Sequence, residues 1–217
     1  MLSLQINNLG KKFGSEWIFR NLSFTINAGD KIVILGGNGS GKSTLLQVIS
    51  GYVTPNEGNI VYHLSAQSNQ DTISEEKLRN HISFVSPYLQ LIEDLTLSET
   101  IEHSSLFKPF INNLSVKEVV DLVDLRHAKD KFIRQLSSGM KQRLKLGLAL
   151  LSNTPLLLLD EPVSNLDKNA ILWYRNLISN YTHGRTIIVC SNNIEDEYFF
   201  CGKQLNVTDF KTGKQPV

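Results

Sequence analysis

With 217 residues the chain is long enough for one substantial core, or for one core carrying a smaller lobe, and its 22 Lys and Arg against 21 Asp and Glu leave a formal net charge of +1. That balance, with no long basic run, excludes a phosphate-backbone partner, so no nucleic acid is expected. The two cysteines, Cys190 and Cys201, have no second Cys or His at ligand spacing, which excludes a disulfide framework or a zinc site and reads as packing in a reduced, cytosolic protein.

Residues 1–9 alternate apolar Leu2, Leu4 and Ile6 with polar neighbours, the pattern of a half-buried strand and not of a charged leader followed by an apolar run. Leu22, Phe24 and Ile26 repeat the alternation, and the turn Ala28-Gly29-Asp30 closes it, so an antiparallel sheet is expected at the N-terminal end. Residues 32–35 form instead a continuous aliphatic run, as in a parallel strand buried on both faces. A glycine-rich turn follows at once, then Leu45, Leu46 and Ile49 at helical spacing, ended by Gly51.

Pro55-Asn56-Glu57-Gly58 reads as a turn into a strand near residues 59–63, and the polar stretch 65–80 reads as a surface insertion before a strand at 82–85. From about 97 to 151 the periodicity is helical, with Val116, Val119, Val120 and Val123 on one stripe and Leu144, Leu148 and Leu151 on another. Strand 156–160, helix 168–179 and strand 186–190 follow. The alternation predicts a parallel sheet with helices on its faces. The wholly apolar runs, such as residues 156–159, are far too short to cross a bilayer, so any membrane role comes through a partner.

Two motifs carry chemistry. Gly36-Gly37-Asn38-Gly39-Ser40-Gly41-Lys42-Ser43, followed by Thr44, matches the phosphate-loop pattern G-x-x-x-x-G-K-[ST] in its required setting of buried strand before and helix after. Glycines allow the tight turn that aims successive amides inward, and the helix start adds its positive end, so the loop suits a polyphosphate. Lys42 is expected on the β- and γ-phosphates and the Ser43 hydroxyl on Mg²⁺. At the end of a second aliphatic strand, Asp160 is the expected metal-side acid and Glu161 the general base that polarises a water, pointing to the other side of the strand.

Four motifs in order make the chain resemble the ATP-binding cassette (ABC) ATPases over nearly its whole length. Beside the two above, Leu136-Ser137-Ser138-Gly139-Met140 resembles the LSGGQ signature, with Ser for the first Gly and Met for Gln, and Ser164-Asn165-Leu166-Asp167 resembles the D-loop. The resemblance implies an α/β P-loop NTPase fold: a RecA-like parallel core with an N-terminal antiparallel β subdomain over about 1–85 and 152–217, and an inserted helical subdomain over about 86–151. It also implies a head-to-tail dimer sandwiching two ATP molecules, with Ser137, Ser138, Gly139 and Asp167 on the partner's nucleotide. Ser137 serves equally as an ordinary helix cap. Phe13 falls where the family stacks an aromatic on adenine, with Trp17 as the competing candidate.

Two positions depart from the family. Its switch histidine aligns with Asn192, which donates hydrogen bonds but carries no proton or charge, so a slowed ATPase is expected. Its Q-loop glutamine aligns with Pro87; Gln90, three residues later, either reaches the metal through a rearranged loop or the contact is missing or replaced by water. The reading is the nucleotide-binding subunit of an ABC transporter, on the inner face of the membrane through a separate permease met by the helical lobe and residues 85–95. Its rivals are a soluble non-transport ABC ATPase and an ATP-gated dimerising module with weak hydrolysis.

Overall fold

The computed structural model describes residues 1–66 and 69–210. In chain order the elements are β1 (Leu2–Phe13), β2 (Glu16–Ile26), β3 (Lys31–Leu35), α1 (Lys42–Ile49), β4 (Glu57–Ala66), β5 (Asn69–Thr72), α2 (Glu75–Leu78) and β6 (Ile82–Val85). There follow α3 (Leu97–Phe107), α4 (Val116–Leu122), α5 (Ser138–Leu151), β7 (Leu156–Asp160), α6 (Lys168–Tyr181), β8 (Thr186–Ser191), α7 (Glu195–Tyr198) and β9 (Lys203–Asn206). They fall into two compact units: the described residues of Met1–Phe84, Pro155–Glu161 and Gly184–Val217, and those of Val85–Thr154 and Pro162–His183. The second unit takes in α6 as well as the helical stretch; the sequence boundaries set 152–217 with the core.

The first unit holds both sheets. The antiparallel one has the order β2-β1-β4-β5. Leu2, Leu4 and Ile6 are buried as their alternation requires; Asn8, at φ 47, then inserts a bulge that shifts the inward phase to Leu9. The polar stretch after β4 is partly a hairpin: β4 runs to Ala66 and pairs with β5 from His63↔Thr72 to Ala66↔Asn69, so the surface insertion expected at 65–80 is ordered strand and short helix there, with residues 67 and 68 outside the described residues.

The parallel sheet has five strands in the order β6-β7-β8-β3-β9. Its central strands are apolar throughout because both faces are covered: Ile32 to Leu35 are at most 7 % exposed and Leu156 to Leu159 are fully buried. The register pairs Leu35 with Ser191 and Asp160 with Cys190, so β7, β8 and β3 end level with one another. Whatever leaves their carboxyl ends meets in one crevice, the place where open α/β sheets bind ligands.

The second unit is helical. Capping boxes start α3 (Thr96 with Glu99) and α4 (Ser115 with Glu118), and Ser137 caps α5 by accepting from the Met140 amide at 3.2 Å. Val119, Val120 and Val123 are buried with Leu144 and Leu151. Gly147 lets α4 and α5 close up: a Cβ there would lie 2.1 Å from Val123 Cγ1. Trp173 of α6 adds a bond from its indole Nε1 to the Leu122 carbonyl at 2.7 Å.

Candidate functional site

The phosphate loop leaves β3 as predicted. Gly36 is where a Cβ would meet Ser40 Oγ at 2.5 Å, the Ser40 amide closes a turn on the Gly37 carbonyl at 3.2 Å, and Gly41 caps α1 at φ 100. A side chain at Gly41 would also run into Ile18 Cγ2, 2.4 Å from the ideal Cβ, so two independent constraints hold that position to glycine. Lys42 folds back over the loop: its Nζ donates to the Gly36 and Gly37 carbonyls at 2.7 and 3.0 Å and to Asn192 Oδ1 at 2.6 Å.

Asn192 leaves the end of β8 beside it and spends its whole amide on this site. Besides accepting from Lys42, its Nδ2 donates to Asn38 Oδ1 at 2.6 Å and to Glu161 Oε1 at 2.7 Å. An amide is the smallest side chain that can accept from an ammonium and donate twice to oxygen at once. Glu161 stands at the third strand end with φ 45, its own amide bonded to the Cys190 carbonyl at 3.0 Å. The strand stops at Asp160, so it is this left-handed turn, not continued strand alternation, that aims Glu161.

Asp160 is 1 % exposed, and its Oδ1 has no hydrogen-bond partner. Burial, the largest influence, pushes its carboxyl from the ordinary 3.8 up to about 6; a hydrogen bond with Ser43 and the charge of Lys42 oppose this, and Glu161 adds to it. A buried carboxylate oxygen left unpaired next to the phosphate-loop serine is the donor set a divalent cation of the P-loop type takes, one acid and one hydroxyl with the remaining positions left to phosphate and water. Among the described residues no cluster of three or more His, Cys, Asp or Glu offers an all-protein cage. The residues present therefore fit Mg²⁺ held jointly with a polyphosphate.

The other expected site residues lie in the second unit. Ser137, Gly139 and Asp167 line one cavity of about 520 Å³ there, together with His127, Arg143 and Asn165. Asp167 is occupied locally: it caps α6, its Oδ1 accepting from the Ala170 amide at 2.7 Å. Ser138 and Gln90 line a neighbouring cavity of about 540 Å³ with Glu93, Lys141 and Lys145. Gln90 is exposed.

Of the two aromatic candidates, Phe13 ends β1 with 54 % of its surface open. Trp17 is half-buried, with the Lys12 ammonium 5.3 Å and the Arg20 guanidinium 4.5 Å from its ring centroid. Phe13 carries only Lys11, at 5.0 Å, and Lys11 is also bonded to the Thr54 carbonyl at 2.8 Å. Sequence reasoning missed Ile18, the double use of Asn38 as loop residue and side-chain acceptor, and Lys145. The last did leave a signal, a lone cation in the apolar run Leu144, Leu146, Gly147 and Leu148.

A sequence model described as ABC transporter matches residues 19–164. The chain is 30% identical over 191 residues to an uncharacterized ABC transporter ATP-binding protein, YcbN, of Bacillus subtilis strain 168, covering 87% of this chain and 61% of that one. It is 31% identical over 188 residues to the sulfate/thiosulfate import ATP-binding protein CysA of Nitrosomonas europaea, covering 81% and 50%. The chain thus spans half to three-fifths of the length of these curated relatives. Among solved structures it superimposes on a putative ABC transporter ATP-binding protein from Pyrococcus furiosus with a TM-score of 0.76 at 22% identity, covering 96% and 98% of the two chains. The dimeric post-hydrolysis structure of the ATP-binding cassette MJ0796 with ADP and Pi gives 0.73 at 26% identity, covering 89% and 90%. The five-stranded parallel sheet with its accompanying antiparallel sheet is the α/β fold of P-loop NTPases. Phosphate loop, strand-end acids and matched sequence agree, and the chain belongs to the ATP-binding proteins of the ABC transporter family.

Proposed function

We propose that the chain, read as one nucleotide-binding domain with its helical subdomain over about 86–151, binds MgATP, dimerises with a second copy, and hydrolyses ATP to drive a separate membrane permease from the cytoplasmic face. The observation that carries the reading is the meeting of Lys42, Asn192, Asp160 and Glu161 at three adjacent strand ends around the phosphate loop. Among the described residues no helix is long and apolar enough to cross a membrane, which suits a subunit that reaches one through a partner.

The loop amides of residues 36–44 cradle the phosphates, and Lys42 leaves the Gly36 and Gly37 carbonyls for the β- and γ-oxygens. Ser43 and Asp160 would hold Mg²⁺, which when bound neutralises charge on the phosphate oxygens. Glu161 accepts the proton of the attacking water, and Asn192 donates toward the γ-phosphate where the family places histidine. Ser137, Ser138 and Gly139 of the second copy present the open start of α5 to the same phosphate, with that copy's Asp167 alongside. Phe13 stacks on the base. Gln90 is the candidate for a further metal-side contact.

A second reading, an ATP-gated dimer with little turnover, is favoured by one observation: the group at the switch position is an amide whose donors both serve protein oxygens. The test is nucleotide binding and phosphate release with purified protein. Wild type is expected to bind MgATP and Lys42→Ala to lose that affinity at least tenfold; equal affinity in the two ends the reading. Phosphate release, present or absent in a protein that binds, separates the two readings.

A further inference from the structure

Lys145 lies in the middle of α5, eight residues beyond the Ser137 cap, and is only 8 % exposed. Among the described residues no carboxylate forms an ion pair with it. Its Nζ donates instead to two consecutive main-chain carbonyls, Ser86 at 3.1 Å and Pro87 at 3.2 Å, the first residues after β6. One turn earlier on the same helix, Gln142 is 1 % exposed and donates from Nε2 to the Pro162 carbonyl at 2.9 Å. These three carbonyls have one thing in common. The chain enters the second unit twice from the first, at residue 85 and at residue 162, and the carbonyls belong to the first residues of those two entries.

A buried ammonium without a counter-ion is costly to keep, and burial does lower the Lys145 pKa. An apolar side chain of the same length would avoid that cost. What the amine supplies and a methionine cannot is several donors on one atom, enough to hold two consecutive carbonyls of a segment whose other bonds are local, the Tyr88 amide to Ser86 Oγ at 3.2 Å among them. Ser86 O keeps one other bond, from the Leu89 amide at 3.2 Å, and Pro87 has no amide of its own.

We propose that Lys145 is a positioning residue, which with Gln142 clamps both entry segments of the helical unit to α5, so that residues 86–87 and the signature residues 137–139 at the head of the same helix move together. For turnover this rests on the ATPase reading above; the clamp itself does not. At the position that aligns with the family's glutamine, Pro87 offers no polar side chain, and the clamp supplies from α5 a fixed position for its main chain.

The test is hydrogen–deuterium exchange on the full chain, followed over a peptide spanning residues 84–92, with Lys145→Met, which keeps the volume and removes the donors, and Lys145→Arg, which keeps donors. The Met variant is expected to exchange at least tenfold faster at Tyr88 and Leu89 with exchange in α1 unchanged, to bind MgATP as wild type does, and to lose kcat with little change in KM. The Arg variant is expected to recover both protection and kcat. A folded Met variant with wild-type exchange over 84–92, or an Arg variant as unprotected as Met, overturns the clamp. Should the Met chain not fold, Lys145→Leu, which also lacks donors, is held to the same criteria. If wild type itself neither binds nor turns over ATP, the function is wrong while the exchange comparison still decides the clamp.

Discussion

Replacing Asn192 by Asp changes one NH₂ to an oxygen and almost nothing else in shape. The acceptor for Lys42 survives, whereas the donors to Asn38 Oδ1 at 2.6 Å and Glu161 Oε1 at 2.7 Å disappear, and a second carboxylate faces Glu161. Two like charges about 4 Å apart repel by about 4 kcal/mol at an effective dielectric constant near 20. Lys42, already in contact with the same side chain, offsets about half, leaving roughly 2 kcal/mol or about thirtyfold in rate. Loss of a donor to the charge developing on the γ-phosphate adds about a hundred- to a thousandfold. Phosphate release from purified protein at saturating MgATP should therefore fall at least a hundredfold in N192D and rise above wild type in N192H, which regains a protonatable donor. Turnover of N192D within about threefold of wild type would refute the role of the amide at Glu161, and N192H no faster than wild type would refute the idea that Asn192 slows the chemistry.

Glu161→Gln, which keeps the amide contact and removes the base, should accumulate an ATP-bound dimer on size-exclusion chromatography; a variant that stays monomeric in excess MgATP counts against the sandwich. Asp160 has its native pKa raised from 3.8 to about 6, so between those values the native state holds a proton that the unfolded chain has released, and stability contributed by this group falls as pH rises through the window. Asp160→Asn in EDTA should accordingly be more stable than wild type at pH 8, by about 1–3 kcal/mol in a denaturant titration, with the gap closing below pH 4; a constant gap across pH would contradict the burial argument. The same variant should lose the stabilisation that MgATP gives wild type. Phe13→Ala should weaken nucleotide binding about tenfold or more, and Trp17→Ala should change it less, as read by equilibrium titration. Gly58→Ala, at φ +72 with the new Cβ 2.2 Å from the Asn7 carbonyl oxygen, should cost at least about 2 kcal/mol in chemical denaturation.

How legible the molecule was depended on whether a local pattern had one physical cause. The runs at 32–35 and 156–159 are apolar on both faces, and only a doubly covered strand asks for that; both became central strands of the parallel sheet. The phosphate loop was readable because turn, amides and lysine are contiguous. The 65–80 stretch was not, since a polar hairpin edge such as β5 lacks the alternation that marks a half-buried strand. Nor did the sequence show that Asn192 joins Lys42 to Glu161: those partners are 150 and 31 positions away, and only the level ends of β7, β8 and β3 bring them together. Lys145 was visible as an oddity on an apolar helix, but its two carbonyl partners could not be, because any main-chain segment offers the same acceptor.

Two costs in the first unit fall together at the end of β7, in the proposed site. Within two consecutive residues the chain carries a carboxyl that is almost wholly buried with one oxygen unpaired, and a glutamate in a left-handed conformation, worth roughly 1–2 kcal/mol of backbone strain on its own. A parallel sheet as such asks for neither a carboxyl at 160 nor a left-handed residue at 161. Under the proposed function both are offset by the ligand, a cation satisfying Asp160 and a water meeting Glu161. Asn192 relieves part of this expense at Glu161, bridging ammonium to carboxylate with a neutral group, as Ser43 and Lys42 do at Asp160. It follows that the double variant Asp160→Asn, Glu161→Gly should be more stable than wild type in EDTA and inert toward ATP, and a double variant less stable than either single change would mean that the strand ends are held for folding and not for the site.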